Sequence, residues 1–157
     1  MCALRVNVSE VSRERRRVEL SGAIDESADL GDVFRAIDGD ALFDLSGIER
    51  INSIGVLRWV SAFVPHTETH EVIIEAVSYP MMLQANCVAN LFGSASVRSC
   101  LAPYFCPTCK DHQMVLVTVD QLAAAEGSAP AVSCQRCRTL LDFDELDVYF
   151  QFFRSSL

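Results

Sequence analysis

Apolar and polar positions alternate with a period of two in residues 4–8 (LRVNV) and again in residues 17–20 (RVEL), which predicts two strands. The charged segment 9–16 joins them, so they are expected to pair antiparallel. In residues 25–38 the apolar positions change period. Ala28, Leu30, Val33, Phe34 and Ile37 fall at near-helical spacing, with Ser27 as the N-cap and Gly39 near the end. Residues 41–45 (ALFDL) are mostly apolar and close in Ser46 and Gly47, which predicts a short strand buried on both faces. After a second break at Asn52 and Ser53, the residues Val56, Leu57, Val60, Phe63 and Val64 share one helix face, and Pro65 is expected to stop the helix. Either Asn52 or Ser53 can cap it, and Gly55 lets the backbone pack closely there.

Residues 72–77 (VIIEAV) read as another buried strand. A third helix follows, capped by Ser78, with Pro80 in its first turn and Met81, Leu83, Cys87, Val88 and Leu91 on one face, and Gly93 closes it. Residues 96–101 form a last strand. Strands alternating with helices require crossovers, so the pattern predicts an α/β fold with a mixed, mostly parallel sheet and an antiparallel pair at its start.

Composition narrows the function classes. The chain of 157 residues is 50% hydrophobic, enough for one ordinary domain with a small module beside it. No run of roughly eighteen apolar residues occurs and the first residues lack an apolar signal core, so a soluble cytoplasmic protein with no membrane partner is expected. The formal charge of −8 divides as −5 over residues 1–105 and −3 over residues 106–157. Neither part offers the basic footprint that nucleic acid requires, so no nucleic-acid partner is expected. The basic cluster of Arg13, Arg15, Arg16 and Arg17 reads as a solvated hairpin tip. No glycine-rich phosphate loop follows a strand, and His66 and His70, flanking a loop after the second helix, belong to no catalytic motif. A non-enzymatic protein is expected.

Three segments carry a family resemblance: LSGAIDESADL (residues 20–30), ALFDLSGIERINSIGVLRWV (41–60) and VIIEAVSYPMMLQANCVANLFG (72–93). Over residues 3 to 102 the succession of elements and these motifs resemble the STAS domain of anti-sigma-factor antagonists, sulfate-transporter ends and stressosome subunits. The resemblance implies a bacterial regulatory module that binds a protein partner, a kinase or an anti-sigma factor. In antagonists of that family a strand ending in D-L-S/T-G is followed by D-S-S/T-G, whose first serine is phosphorylated. Asp44, Leu45, Ser46 and Gly47 match the first part; Asn52, Ser53, Ile54 and Gly55 stand in the second. Ser53 thus falls at the phosphorylated position, while Asn52 replaces the usual aspartate and Ile54 a small hydroxyl residue. Asn52, Ser53 and Ile54 are the expected partner-binding residues. On physical grounds Ser53 is either a helix cap or a phosphate acceptor, because free amides at a helix start favour an anion.

The seven cysteines change the picture beyond residue 102. Cys106 and Cys109 (CPTC) are followed after 24 residues by Cys134 and Cys137 (CQRC). Two C-x-x-C knuckles, each at a hairpin turn, supply the four thiolates of a tetrahedral zinc site. Four protein ligands leave no position for water, so one structural zinc per chain is expected. Residues 103–157 then form a small β module that resembles a zinc ribbon at its knuckles, docked on the domain of residues 1–102. Lys110, Arg136 and Arg138 adjoin the cysteines and can offset a site charge of about −2. His112 reads as a surface histidine. Residues 114–119 (MVLVTV) are apolar on both faces, one for the knuckles and one for the adjoining domain. Residues 120–133 read as a long loop with one helical turn. Asp144 is placed to cap a short helix whose stripe is Leu146, Tyr149, Phe150 and Phe153, with Phe152 off the stripe and available for self-association. Cys87 and Cys100 read as buried apolar residues and Cys2 as part of a flexible end. The alternative to a phospho-switched module is a structural subunit of a complex or homo-oligomer in which Ser53 only caps its helix.

Overall fold

The computed structural model describes residues 2–155 and 157. The antiparallel pair is present as β1 (Arg5–Glu10) and β2 (Arg15–Ile24). Parallel strands β3 (Asp40–Ile51), β4 (Val72–Glu75) and β5 (Ser96–Val97) extend it into a five-stranded sheet in chain order. The connections are helical: α1 (Leu30–Ala36), α2 (Ser53–Thr69) and α3 (Tyr79–Ala85). The protein is therefore an α/β fold with a mixed sheet. A second, antiparallel sheet of order β7-β6-β8 follows, from β6 (Ser99–Cys106), β7 (Asp111–Thr118) and β8 (Asp142–Phe143). Among the described residues no helix is long and apolar enough to cross a membrane.

Strand β3 does not end at Ser46-Gly47, as the sequence predicts, but runs on to Ile51. Its pairing with β2 survives through register shifts between Glu19 and Ser21 and between Gly22 and Ala23. A Cβ on Gly47 would stand 2.7 Å from the Ser21 Cβ, so this glycine serves close strand approach and not a turn. Only one face of β3 is fully buried. Ala41, Phe43 and Leu45 point into the core, while Asp44 on the other face pairs with Arg17 at 2.9 Å. Arg17 also binds Glu19 and Glu75, and Arg15 binds Glu71, so three of the four arginines expected at a hairpin tip lie in strand β2 and two of them pair with acids.

Helix α2 passes through Pro65 to Thr69, against expectation. A proline inside a helix costs about 3 kcal/mol. Here Pro65 and Ser61 are both exposed, so the carbonyl that loses its amide partner lies on the solvated side, while Trp59 and Phe63 anchor the other side. Trp59 stacks on Phe63 at 4.5 Å, Phe34 of α1 and Phe43 of β3 close the cluster, and the indole N–H donates to the Leu91 carbonyl. His66 consequently lies inside the helix, not beside a loop, and is buried with His70 stacked 4.6 Å away.

Burial lowers the His66 pKa, and repulsion from His70 adds to this, while the Gly39 backbone, Asp38 and Asp40 oppose it. The fold favours the neutral ring. Its contribution to stability is full above the unfolded histidine value of about 6.5 and is lost as pH falls through the depressed folded value. Urea midpoints taken from pH 7.5 down to 5 should therefore fall more steeply for the native chain than for His66→Phe. Parallel slopes would contradict this.

Helix α1 begins only at Leu30, capped by Asp29 and not Ser27, because Ser27 instead bonds Asp25. Helix α3 stops at Ala85, leaving Cys87 exposed. Its end is fixed by Asn86, whose amide donates to the Tyr149 carbonyl at 2.8 Å and accepts from the Phe152 amide at 2.9 Å. Ser78 stands at the N-cap position without a capping bond, its hydroxyl buried and unpartnered among the described residues.

The chain changes sheets at Arg98, whose amide bonds Ile74 of the first sheet and whose carbonyl accepts from Val119. Strand β6 then runs through residue 102 without a break, so residues 102–105 are strand and not a linker. One contiguous hydrophobic cluster joins both sheets, from Val18 and Phe43 to Tyr104, Val117 and Phe150. In β7, Val117 is buried, but Met114 and Leu116 are each 49% exposed, so the expected second covering surface is missing there. Thr118 and Gln121 form a capping box that starts α4 (Val119–Ala124) in the predicted loop. The C-terminal segment is one 3-10 turn (Asp147–Phe150) leading into α5 (Gln151–Arg154). Tyr149, Phe150 and Phe153 are buried as predicted, whereas Leu146 precedes the turn and is 70% exposed. Phe152 packs edge-on against Phe92 at 5.4 Å, so it is half-buried and not a free aromatic.

Candidate metal centre and helix N-terminus

The first knuckle is the β6–β7 turn, closed by the pairing of Cys106 with Asp111. The second is closed by the bridge between Ser133 and Leu140, the Cys134 amide donating to the Thr139 carbonyl at 2.8 Å. Both turns end the same way: Lys110 and Arg138, each directly after the second cysteine, adopt left-handed φ angles of 51° and 65°. That conformation ordinarily selects glycine, yet here it is taken by two basic residues at the turns that the cysteine spacing predicts. The hydroxyls of Thr108 and Thr139, one from each knuckle, meet at 2.9 Å.

This geometry gathers the four cysteine Sγ atoms to within 4.8 Å of one another, with Cys106 and Cys137 at 3.5 Å. Four sulfurs on a tetrahedral ion at about 2.3 Å from each would lie about 3.8 Å apart, so the spacing fits one metal ion. Cys106 and Cys134 are buried and Cys109 and Cys137 half-buried. Amide donors aim at the sulfurs: the Cys109 N–H approaches Cys106 Sγ and the Gln113 side chain approaches Cys134 Sγ, both at 3.4 Å. The Gln113 bond, with the Cys137 and Arg136 amides, pulls the Cys134 thiol down to about 6. Hydrogen bonds with Cys137 and Cys106 push the Cys109 thiol up to about 12. A bound cation would take the place of the protons that these thiols share.

Of the three expected counter-charges, Arg136 is engaged in an ion pair with Asp111. His112 lies outside the sulfur group, its Nδ1 2.9 Å from Asp144 Oδ2. Gln113, Thr108 and Thr139 are the supporting residues that sequence reading misses. Nothing in their spacing distinguishes them from ordinary strand and loop residues.

At the other candidate site, Asn52 is the cap: its side-chain oxygen accepts from the Gly55 amide at 2.8 Å. Ser53 is the first helical residue and is exposed, with Ile54 and Leu57 exposed beside it by 49% and 69%. Gly55 is forced by sterics, since a Cβ there would lie 2.0 Å from the Ile24 carbonyl oxygen. Asn52 also donates to Glu26 at 2.9 Å, and Arg50 binds Asp25 at 3.2 Å. These bonds depress both carboxyl groups, the Glu26 pKa chiefly through Asn52 and the Asp25 pKa chiefly through Ser27. Ser53 and Ile54 are thus presented to solvent in an acidic surrounding, while the Asn52 side chain is already engaged on both sides.

Fold and site together define an α/β protein with a four-thiol group able to hold a metal ion. Comparison with protein-family models and with curated proteins gives no match.

Proposed function

We propose that this chain is a non-enzymatic regulatory protein that binds a protein partner through the start of α2, in the manner of STAS-domain anti-sigma-factor antagonists. The observation that carries the reading is the exposed Ser53 on the first turn of a 17-residue helix, flanked by exposed Ile54 and Leu57. Exposed apolar side chains of this kind suit the buried centre of a protein contact, with Ser53 at its polar rim. A phosphate on Ser53 would add about two negative charges beside Asp25 and Glu26 and break that contact by repulsion and desolvation. Ser53→Asp is expected to weaken partner binding by at least about tenfold, roughly 1.4 kcal/mol, while Ser53→Ala retains it. Pull-down of the partner followed by calorimetry with both variants, and phosphate mapping on Ser53 in cells, test this. Equal binding by both, with no phosphate on Ser53, would refute the switch.

The four-thiol group is read as a structural zinc site of zinc-ribbon type. An all-sulfur, four-ligand set suits zinc and leaves no open position for a reactant. A second reading, a scaffolding subunit without a switch, is favoured by Asn52, whose cap and Glu26 bonds already satisfy the turn. Under it, Ser53→Asp leaves binding unchanged.

A further inference from the structure

The four sulfurs are not equally placed. Each knuckle supplies one buried cysteine, Cys106 or Cys134, and one half-buried cysteine, Cys109 or Cys137. In both turns the residue after the half-buried cysteine is an exposed cation, Lys110 or Arg138, held at a left-handed φ. Partial exposure beside positive charge is the setting in which a thiolate meets oxidants. The two turns are also joined by bonds that need no metal. Thr108, next to Cys109, meets Thr139, two residues after Cys137, at 2.9 Å, and Arg136 pairs with Asp111. All four Sγ atoms lie within 4.8 Å of one another, so Cys109 and Cys137 stand within reach of each other across the knuckles. A bond inside either knuckle requires a buried sulfur; a bond between Cys109 and Cys137 requires none.

We propose that the metal centre is a redox latch, in which a peroxide joins Cys109 to Cys137 as a disulfide across the two knuckles and the zinc is released. This rests on the reading of the four thiols as a zinc site. Zinc has no redox chemistry of its own, so the electrons come from sulfur. One half-buried thiolate attacks a peroxide oxygen, the O–O bond breaks, and hydroxide leaves a sulfenic acid behind. The other thiolate attacks that sulfur, the S–S bond forms, and a second hydroxide leaves. Two protons from solvent turn both hydroxides into water. Each sulfur has lost one electron, and the peroxide has gained two. Two thiolates remain, too few for a closed tetrahedral site. The disulfide ties the same two turns that the metal tied, so oxidation removes the ion but not the junction of the knuckles.

The test uses the full chain with Cys2→Ser and Cys87→Ser, which removes the exposed thiols outside the site. It is purified with its zinc under reducing conditions, freed of reductant and treated with about a tenfold excess of hydrogen peroxide. A chromogenic chelator should read loss of the whole zinc complement, and mass mapping of the unreduced digest should find the Cys109–Cys137 link. Dithiothreitol should restore zinc binding. A chain that carries no zinc before oxidation fails the zinc reading and the latch with it. A zinc-loaded chain that keeps its ion under peroxide, or forms a disulfide confined to one knuckle, overturns the latch alone.

Discussion

Exchange of Cys134 and Cys137 for serine is expected to remove the metal and to lower stability by about 5 kcal/mol, a fall in Tm of about 10–20 °C. The magnitude follows from what the four thiols connect. They join the β6–β7 turn to the turn of residues 134–138, where the other links are weak: the Thr108–Thr139 contact and the Gln113 bond to Cys134 are single hydrogen bonds worth about 1 kcal/mol each, and the Arg136–Asp111 ion pair is exposed and weak. Structural zinc contributes about 10–16 kcal/mol in isolated peptides. Here part of the hairpin is already held by the shared core, through Tyr104, Val117 and Leu141, so the loss is smaller. Chelation of the native chain should lower Tm by a similar amount, reversibly under reducing conditions. Because the ligands must be thiolates, affinity should also fall as the solution is acidified. Thermal scans with fixed total zinc measure all three, and coincident melting of native and variant chains would refute the assignment.

The second large effect is expected at Gly55. Alanine there sets a Cβ against the Ile24 carbonyl at 2.0 Å, so the start of α2 must move away from the end of β2. Overpacking of this kind costs about 3 kcal/mol. It also displaces Ser53, two residues earlier in the same turn. Gly31→Ala is the comparison, because its Cβ meets nothing closer than the Arg35 side chain at 3.6 Å and its helical position should favour alanine by about 0.5–1 kcal/mol. Urea denaturation of the two variants separates steric exclusion from a general glycine effect. A Gly55→Ala chain within about 0.5 kcal/mol of native would show that the contact relaxes freely.

What the sequence makes legible depends on how local the cause is. The alternation in β1 and β2, the apolar face of α2 and the paired C-x-x-C spacing are local patterns, and each corresponds to an observed strand, helix or sulfur cluster. The misread boundaries have tertiary causes. Gly47 looks like a stop, yet it is absorbed by close approach to Ser21 on the neighbouring strand. Pro65 looks like a helix end, yet Trp59 and Phe63 before it and His66 and Thr67 after it are all buried and hold the helix on the core. Asn86 ends α3 by reaching residues 63 and 66 positions away in the chain. At the sites, Asp25, Glu26 and Arg50 around Ser53, and Gln113 beside Cys134, come together only through folding. Sequence spacing carries no record of them.

The most direct test of the account is native mass spectrometry of the chain as purified under reducing conditions. The predicted result is one zinc ion per chain, absent from the variant with serine at positions 134 and 137. A metal-free chain that keeps its fold, or one with a Cys106–Cys109 disulfide, would contradict it.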